Sequence, residues 1–172
     1  AANCLRELDA WFEQLVQTVR GTSTLVIAIA DHGFVDIAPD AQHQLSSFPE
    51  IQRCLAAPLA GEPRTVFCKV APDEQQRFAQ TLAGSSLSRY CDVYPSAGLL
   101  EAGWFGPAQP PAAISAEMAH RIGTHTLIMR DGQTLVDAMP GEPAHSFIGM
   151  HGGLMPAEMA VPLILASGTT LS

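Results

Sequence analysis

Positive charge is scarce in this chain. Nine Lys and Arg stand against 17 Asp and Glu over 172 residues, a formal net charge of −8 with a pI near 5.0. That balance gives no general attraction to a nucleic-acid polymer or an anionic membrane, and an anionic substrate would need a local positive charge. Long apolar runs are also absent. Leu25 to Ala30 and Val161 to Ala166 fall far short of the roughly 20 residues that span a bilayer, so no membrane span is expected. Paired cysteines are missing too: Cys4, Cys54, Cys68 and Cys91 are dispersed, which speaks against a zinc knuckle or a disulfide framework and for reduced thiols in a reducing compartment. The chain opens Ala-Ala-Asn-Cys with no Met, basic n-region or apolar h-region, so it is expected to begin inside a longer polypeptide, with any targeting segment upstream. What is present is a globular mixture, 47% hydrophobic and only 15% charged, which excludes intrinsic disorder.

Leu5, Leu8, Trp11, Phe12, Leu15, Val16 and Val19 recur at three- and four-residue intervals and predict an amphipathic helix. Gly21 ends it, and Ser23 to Ala30 is a β-branched, apolar run that suits a strand covered on both faces. Helix, short turn and buried strand predict an α/β domain with a mainly parallel sheet flanked by helices, in which ligands collect beyond strand C-terminal ends. Further along, Pro49 predicts a helix entry with Leu55 and Leu59 on its buried face. Arg64 to Val70 predicts a strand, Pro72-Asp73-Glu74 a helix carrying Phe78 and Leu82, and Tyr90 to Tyr94 a short strand. Residues 103–150 read as an irregular loop and hairpin region. Pro107, Pro110 and Pro111 break regular structure, and Asp131-Gly132 supplies turn geometry between Thr124–Arg130 and Thr134–Ala138. A helical turn at 157–160 and a closing strand at 161–166 complete the chain.

Two short strings carry chemistry. Asp31-His32-Gly33 follows the first strand directly, and a carboxylate beside an imidazole offers oxygen and nitrogen donors suited to zinc. His151-Gly152-Gly153 precedes the closing strand, and its glycines let backbone and metal approach beside another imidazole. Either alone has an ordinary explanation: Asp31 as a turn cap with a surface His32, and a Gly-rich loop with an incidental His151.

Ile29-Ala-Asp-His-Gly-Phe34, Gly61-Glu-Pro-Arg64, Arg121-Ile-Gly123 and Gly149-Met-His-Gly-Gly-Leu154 through Val161-Pro-Leu-Ile164 occur together in order. With them the chain resembles the alkaline phosphatase superfamily, in its type I phosphodiesterase and nucleotide pyrophosphatase branch. The match is to that family's C-terminal half. The resemblance implies an alkaline-phosphatase-like domain over 1–172, incomplete at its N-terminal side. It implies two divalent metal ions, zinc by donor chemistry, at the C-terminal edge of the sheet, with Asp31 and His32 on one and His151 on its neighbour. A Thr or Ser nucleophile and the remaining ligands would precede Ala1, so no catalytic residue is expected in this chain. The substrate would be a phosphate-ester small molecule or nucleotide, hydrolysed at a phosphodiester or phosphoanhydride bond. The partner would be the missing N-terminal part of the same polypeptide, without which the chain should be inactive.

Two positions depart from the family pattern. Thr124 replaces an Asp after Arg-Ile-Gly, and Met155 replaces a Ser or Thr before Pro156. His43, His120 and His125 are expected to serve packing, and His145, in the loop of His151, is left out of the site. Trp104 and Phe105 either line a nucleobase site or anchor a loop. The alternative functions are a non-catalytic metal-binding or structural domain, or a related phosphomonoesterase, phosphonate hydrolase, sulfatase or phosphomutase.

Overall fold

The computed structural model describes residues 2–106, 116–137 and 147–169 and divides the chain into two compact units, one of residues 1–31 with 160–172 and one of 32–159. In the first, helix α1 (Ala2–Thr18) leads to strand β1 (Leu25–Ile29). The second unit begins with β2 (Val35–Asp36), β3 (Gln42–Gln44), α2 (Pro49–Gln52), β4 (Ala60–Glu62) and β5 (Thr65–Cys68). It continues through α3 (Gln75–Gly84), β6 (Cys91–Pro95), α4 (Ser96–Glu101), α5 (Ala116–Arg121) and β7 (His125–Met129), then β8 (Thr134–Val136), β9 (Gly149–Met150) and α6 (Pro156–Met159). The first unit closes with β10 (Leu163–Ser167).

The expected helix at the start, the first strand, the helix after Pro72 with buried Phe78 and Leu82, and the closing strand are all observed. Sheet direction is not as expected. The larger unit holds a four-stranded sheet ordered β4-β5-β7-β6, antiparallel throughout, and β1 pairs antiparallel with β10. Among the described strands only β3 and β8 run parallel. A local cause is visible at Pro63-Arg64: with Glu62 opposite Thr65, a two-residue connection permits only an antiparallel neighbour. The strand pattern agrees, since burial alternates along β5, with Val66 and Cys68 inside.

The hairpin expected across Asp131-Gly132 is also corrected. The turn exists, with Asp131 at φ 45°, but β7 already has β5 on one edge and β6 on the other, so β8 pairs with β3 instead. Leu55 and Leu59 lie beyond α2 and are partly buried against the core rather than on a helix face. The Pro107, Pro110 and Pro111 segment and His145 lie outside the described residues.

The core of the larger unit packs Leu45, Ile51, Phe78, Leu87, Leu127 and Leu135, each at most 2% exposed. Cys54, Cys68 and Cys91 are buried among them as free thiols, while Cys4 is exposed. Burial pushes the Cys68 thiol up to about 12 and the Cys91 thiol up to about 11. A smaller cluster, Val35, Ile37 and Ala41 with Met150 and Met155 against it, lies under β2 and β9.

The smaller unit has no comparable interior. The apolar face of α1 is open, with Leu5 and Trp11 at 65% and 63% exposure. Leu25, Ile27, Ile29, Leu163, Ile164 and Leu165 are exposed along β1 and β10, where the sequence predicts cover on both faces. One helix and a two-stranded ribbon offer too little surface to bury these side chains.

Candidate functional site

Backbone pairing assembles the site. β2 and β9 form a two-residue antiparallel ladder, Val35 opposite Met150 and Asp36 opposite Gly149, and Ile37 N–H donates to the Ile148 carbonyl at 2.7 Å. His151 follows β9 directly and His32 lies three residues before β2, so this short ladder fixes one imidazole against the other. Their rings stack with centroids 3.9 Å apart and planes 16° from parallel. The Phe34 ring meets both edge-on, at 5.0 Å from His32 and 5.3 Å from His151.

Gly33 carries the second tie. Its N–H donates to the Glu158 carbonyl at 2.8 Å, and a Cβ at Gly33 would lie 1.9 Å from the Ala157 carbonyl oxygen, so no other residue fits without moving backbone. Gly152 adopts φ 93°, a conformation that side chains with a Cβ avoid, and turns the chain away after His151. The Nδ1 of His32 is 3.0 Å from the Gly33 carbonyl oxygen, which can only accept. In that contact Nδ1 is the donor.

Beneath these loops Arg64 and Glu158 are buried, at 0% and 2% exposure. Arg64 Nε donates to Glu158 Oε1 at 2.5 Å and Nη2 to Oε2 at 2.8 Å, while Nη1 donates to the Gln133 carbonyl at 2.7 Å. Burial, the largest influence on Glu158, pushes its carboxyl up, but hydrogen bonds from Arg64, Gly153 N–H and Met155 N–H and the Arg64 charge outweigh it and hold the pKa below the usual carboxylate value. Sequence reasoning gave neither residue a role. The available signals were Arg64 inside the Gly61-Glu-Pro-Arg64 string and Glu158 as the one carboxylate in an apolar closing segment.

His32 and His151 open onto a cavity of about 310 Å³ that also takes in Thr65, Thr126, Trp104 and Phe105. Asp31 is exposed and belongs to the smaller unit, joined to His32 by one peptide bond. The other described histidines pack as expected. His43 Nε2 lies 2.6 Å from Gln133 Oε1 and its ring stacks on Tyr90, His120 meets Lys69, and half-buried His125 packs beside Phe78 with its pKa lowered by burial. The Thr124 hydroxyl accepts Val70 N–H at 3.0 Å and donates to the Cys68 carbonyl at 3.1 Å.

The imidazoles of His32 and His151 are donors of a kind that suits zinc. Among the described residues no group of three or more His, Cys, Asp or Glu is placed to hold an ion by itself.

The fold is similar to that of a nucleotide pyrophosphatase/phosphodiesterase. It matches murine ectonucleotide pyrophosphatase/phosphodiesterase 5 with a TM-score of 0.58 at 11% identity, over 95% of this chain and 41% of that one. An inactive variant of that murine protein, solved in complex with AMP, matches with a TM-score of 0.51 at 12% identity, over 84% of this chain and 35% of that one. At such identity the likeness is one of fold, and this chain spans less than half the length of either structure. No protein-family profile and no curated protein matches the sequence.

Proposed function

We propose that this chain is the C-terminal part of a zinc-dependent hydrolase of phosphodiester or phosphoanhydride bonds, acting on a nucleotide or a related phosphate ester. The observation that carries the reading is the stacked pair His32 and His151, brought together from distant parts of the sequence at the mouth of one cavity. His32, with Asp31, would hold one ion, and His151 would hold its neighbour. Such a pair of ions supplies charge neutralisation for a bound phosphoryl group, which an acidic chain cannot otherwise provide. Phe34 fixes both rings from one side, and the aromatic surfaces of Trp104 and Phe105 offer an apolar wall against which a base or other leaving group would rest.

The Thr or Ser nucleophile and the remaining ligands are assigned to a preceding segment of the same polypeptide. The open apolar faces of α1, β1 and β10, and coverage of only 41% of the murine structure, support that assignment.

The test compares the 172-residue chain with a longer polypeptide carrying the preceding segment. Zinc binding by the short chain without turnover, and hydrolysis of a nucleotide ester by the long one that is lost in His32→Ala and His151→Ala, are expected. Hydrolysis by the short chain alone, or full activity of both variants, overturns the reading. Zinc binding with no hydrolysis by either length would favour the non-catalytic metal domain.

A further inference from the structure

Glu158 makes contacts that do more than fill a buried site. Its carboxylate accepts four hydrogen bonds, two per oxygen. Oε1 takes Arg64 Nε at 2.5 Å and Gly153 N–H at 2.8 Å, and Oε2 takes Arg64 Nη2 at 2.8 Å and Met155 N–H at 3.2 Å. Those four donors fill the acceptor capacity of an ionised carboxylate. The carbonyl of the same residue accepts Gly33 N–H at 2.8 Å. One residue therefore grips the loop after His151 with its side chain and the loop after His32 with its backbone. Arg64 sits in the two-residue turn between β4 and β5 and is tied to the fold three ways. Its side chain reaches the Gln133 carbonyl, its own carbonyl accepts Met129 N–H at 2.8 Å, and the neighbouring Pro63 carbonyl accepts Leu135 N–H at 2.8 Å. Packing leaves the clasp no slack, since a Cβ at Gly153 would lie 2.7 Å from Glu158 Oε2 and 2.8 Å from Arg64 Nε.

We infer that the Arg64–Glu158 pair is a positioning device that sets the spacing of the His32 and His151 imidazoles, anchoring both loops to the β4–β5 turn of the sheet. Arg64 lies off the cavity, and Glu158, though it lines the cavity beside His32 and His151, has its carboxylate filled by those four donors. Both act through the backbone of the two ligand loops, as hydrogen-bonded groups behind a metal site do. The effect on metal rests on the proposed zinc reading, whereas the effect on ring spacing does not. Glutamine is not a neutral replacement at 158: its amide nitrogen brings a donor against two existing donors whichever way the group is turned.

The test follows imidazole ¹H–¹⁵N signals and zinc affinity by chelator competition in the full 172-residue chain and in Glu158→Gln and Arg64→Lys. Both variants are expected to shift the His32 and His151 signals together, with His120 and His125 unmoved, and to weaken zinc binding by about 10–100-fold. His32 and His151 signals that stay in place in both variants, or unchanged zinc affinity in a chain that binds zinc, overturn the proposal. Moved rings in a chain that takes up no zinc uphold the clasp and overturn the metal reading. Should Glu158→Gln also displace His120 and His125, Glu158→Asp keeps the charge and draws the carboxylate back by one methylene, and unmoved His32 and His151 signals there overturn the clasp.

Discussion

Substituting Gly33 by Ala puts a methyl group where there is no space. The added Cβ would stand 1.9 Å from the Ala157 carbonyl oxygen and 3.0 Å from its carbon, both main-chain atoms within α6. A carbon normally approaches a carbonyl oxygen no closer than about 3.3 Å, so backbone must part by about 1.4 Å, which also breaks the Gly33 N–H bond to the Glu158 carbonyl. Losing one net hydrogen bond at about 1 kcal/mol and overpacking at about 1–3 kcal/mol gives a loss of about 2–4 kcal/mol. The same displacement separates the His32 loop from the His151 loop. Gly84→Ala, at the end of α3 with nothing within 4 Å of the new Cβ, is the matched control and is expected to gain about 0.4–1 kcal/mol. Urea unfolding of both variants, read beside zinc affinity, is the assay. A Gly33→Ala chain as stable as the parent, with unchanged zinc affinity, refutes the close-packing reasoning.

Three further outcomes are expected. Because the folded pKa of Glu158 lies below its unfolded value, the stability it contributes is present above about pH 4.5 and is lost as pH falls through the depressed native value. Urea midpoints of the parent should therefore decline over that acid range more steeply than those of Glu158→Gln, and parallel curves would contradict this. Thr134 Oγ1 is buried with no hydrogen-bond partner among the described residues, so Thr134→Val is expected to raise stability by about 1 kcal/mol or more in the same assay, and a loss would show that the hydroxyl is satisfied. A thiol reagent at mildly alkaline pH should label exposed Cys4 quickly and Cys54, Cys68 and Cys91 only on unfolding, because burial both shields these thiols and raises their pKa values. Fast labelling of a second thiol in the native chain would count against the packing of the larger unit.

Elements with strong local patterning were legible in the sequence. The three- and four-residue apolar spacing of 5–19 gave α1, the Pro-Asp-Glu entry gave α3 with Phe78 and Leu82 inward, and the β-branched run gave β1. Pairing was not legible, because strand direction is set by neighbours distant in sequence. Thr124–Arg130 and Thr134–Ala138 carry a good turn signal between them, yet β7 is taken on both edges by strands from earlier in the chain. At the site, the motif strings located His32 and His151, whose rings do meet. The same strings held Arg64 and Glu158 without revealing them, since a buried ion pair looks like two surface charges until both partners are placed. Met155, where a hydroxyl was expected, packs its side chain on the small apolar cluster beneath the site while its N–H goes to Glu158.

The uncovered ribbon of β1 and β10 makes the smaller unit a conditional fold. Anything that covered its apolar surface would stabilise it by mass action, by RT ln(1 + [L]/Kd) at a concentration [L] of that cover. Asp31 is carried by this unit and His32 and His151 by the other. The carboxylate proposed as a ligand thus resides in a unit without a core of its own, and the two imidazoles in a unit that has one.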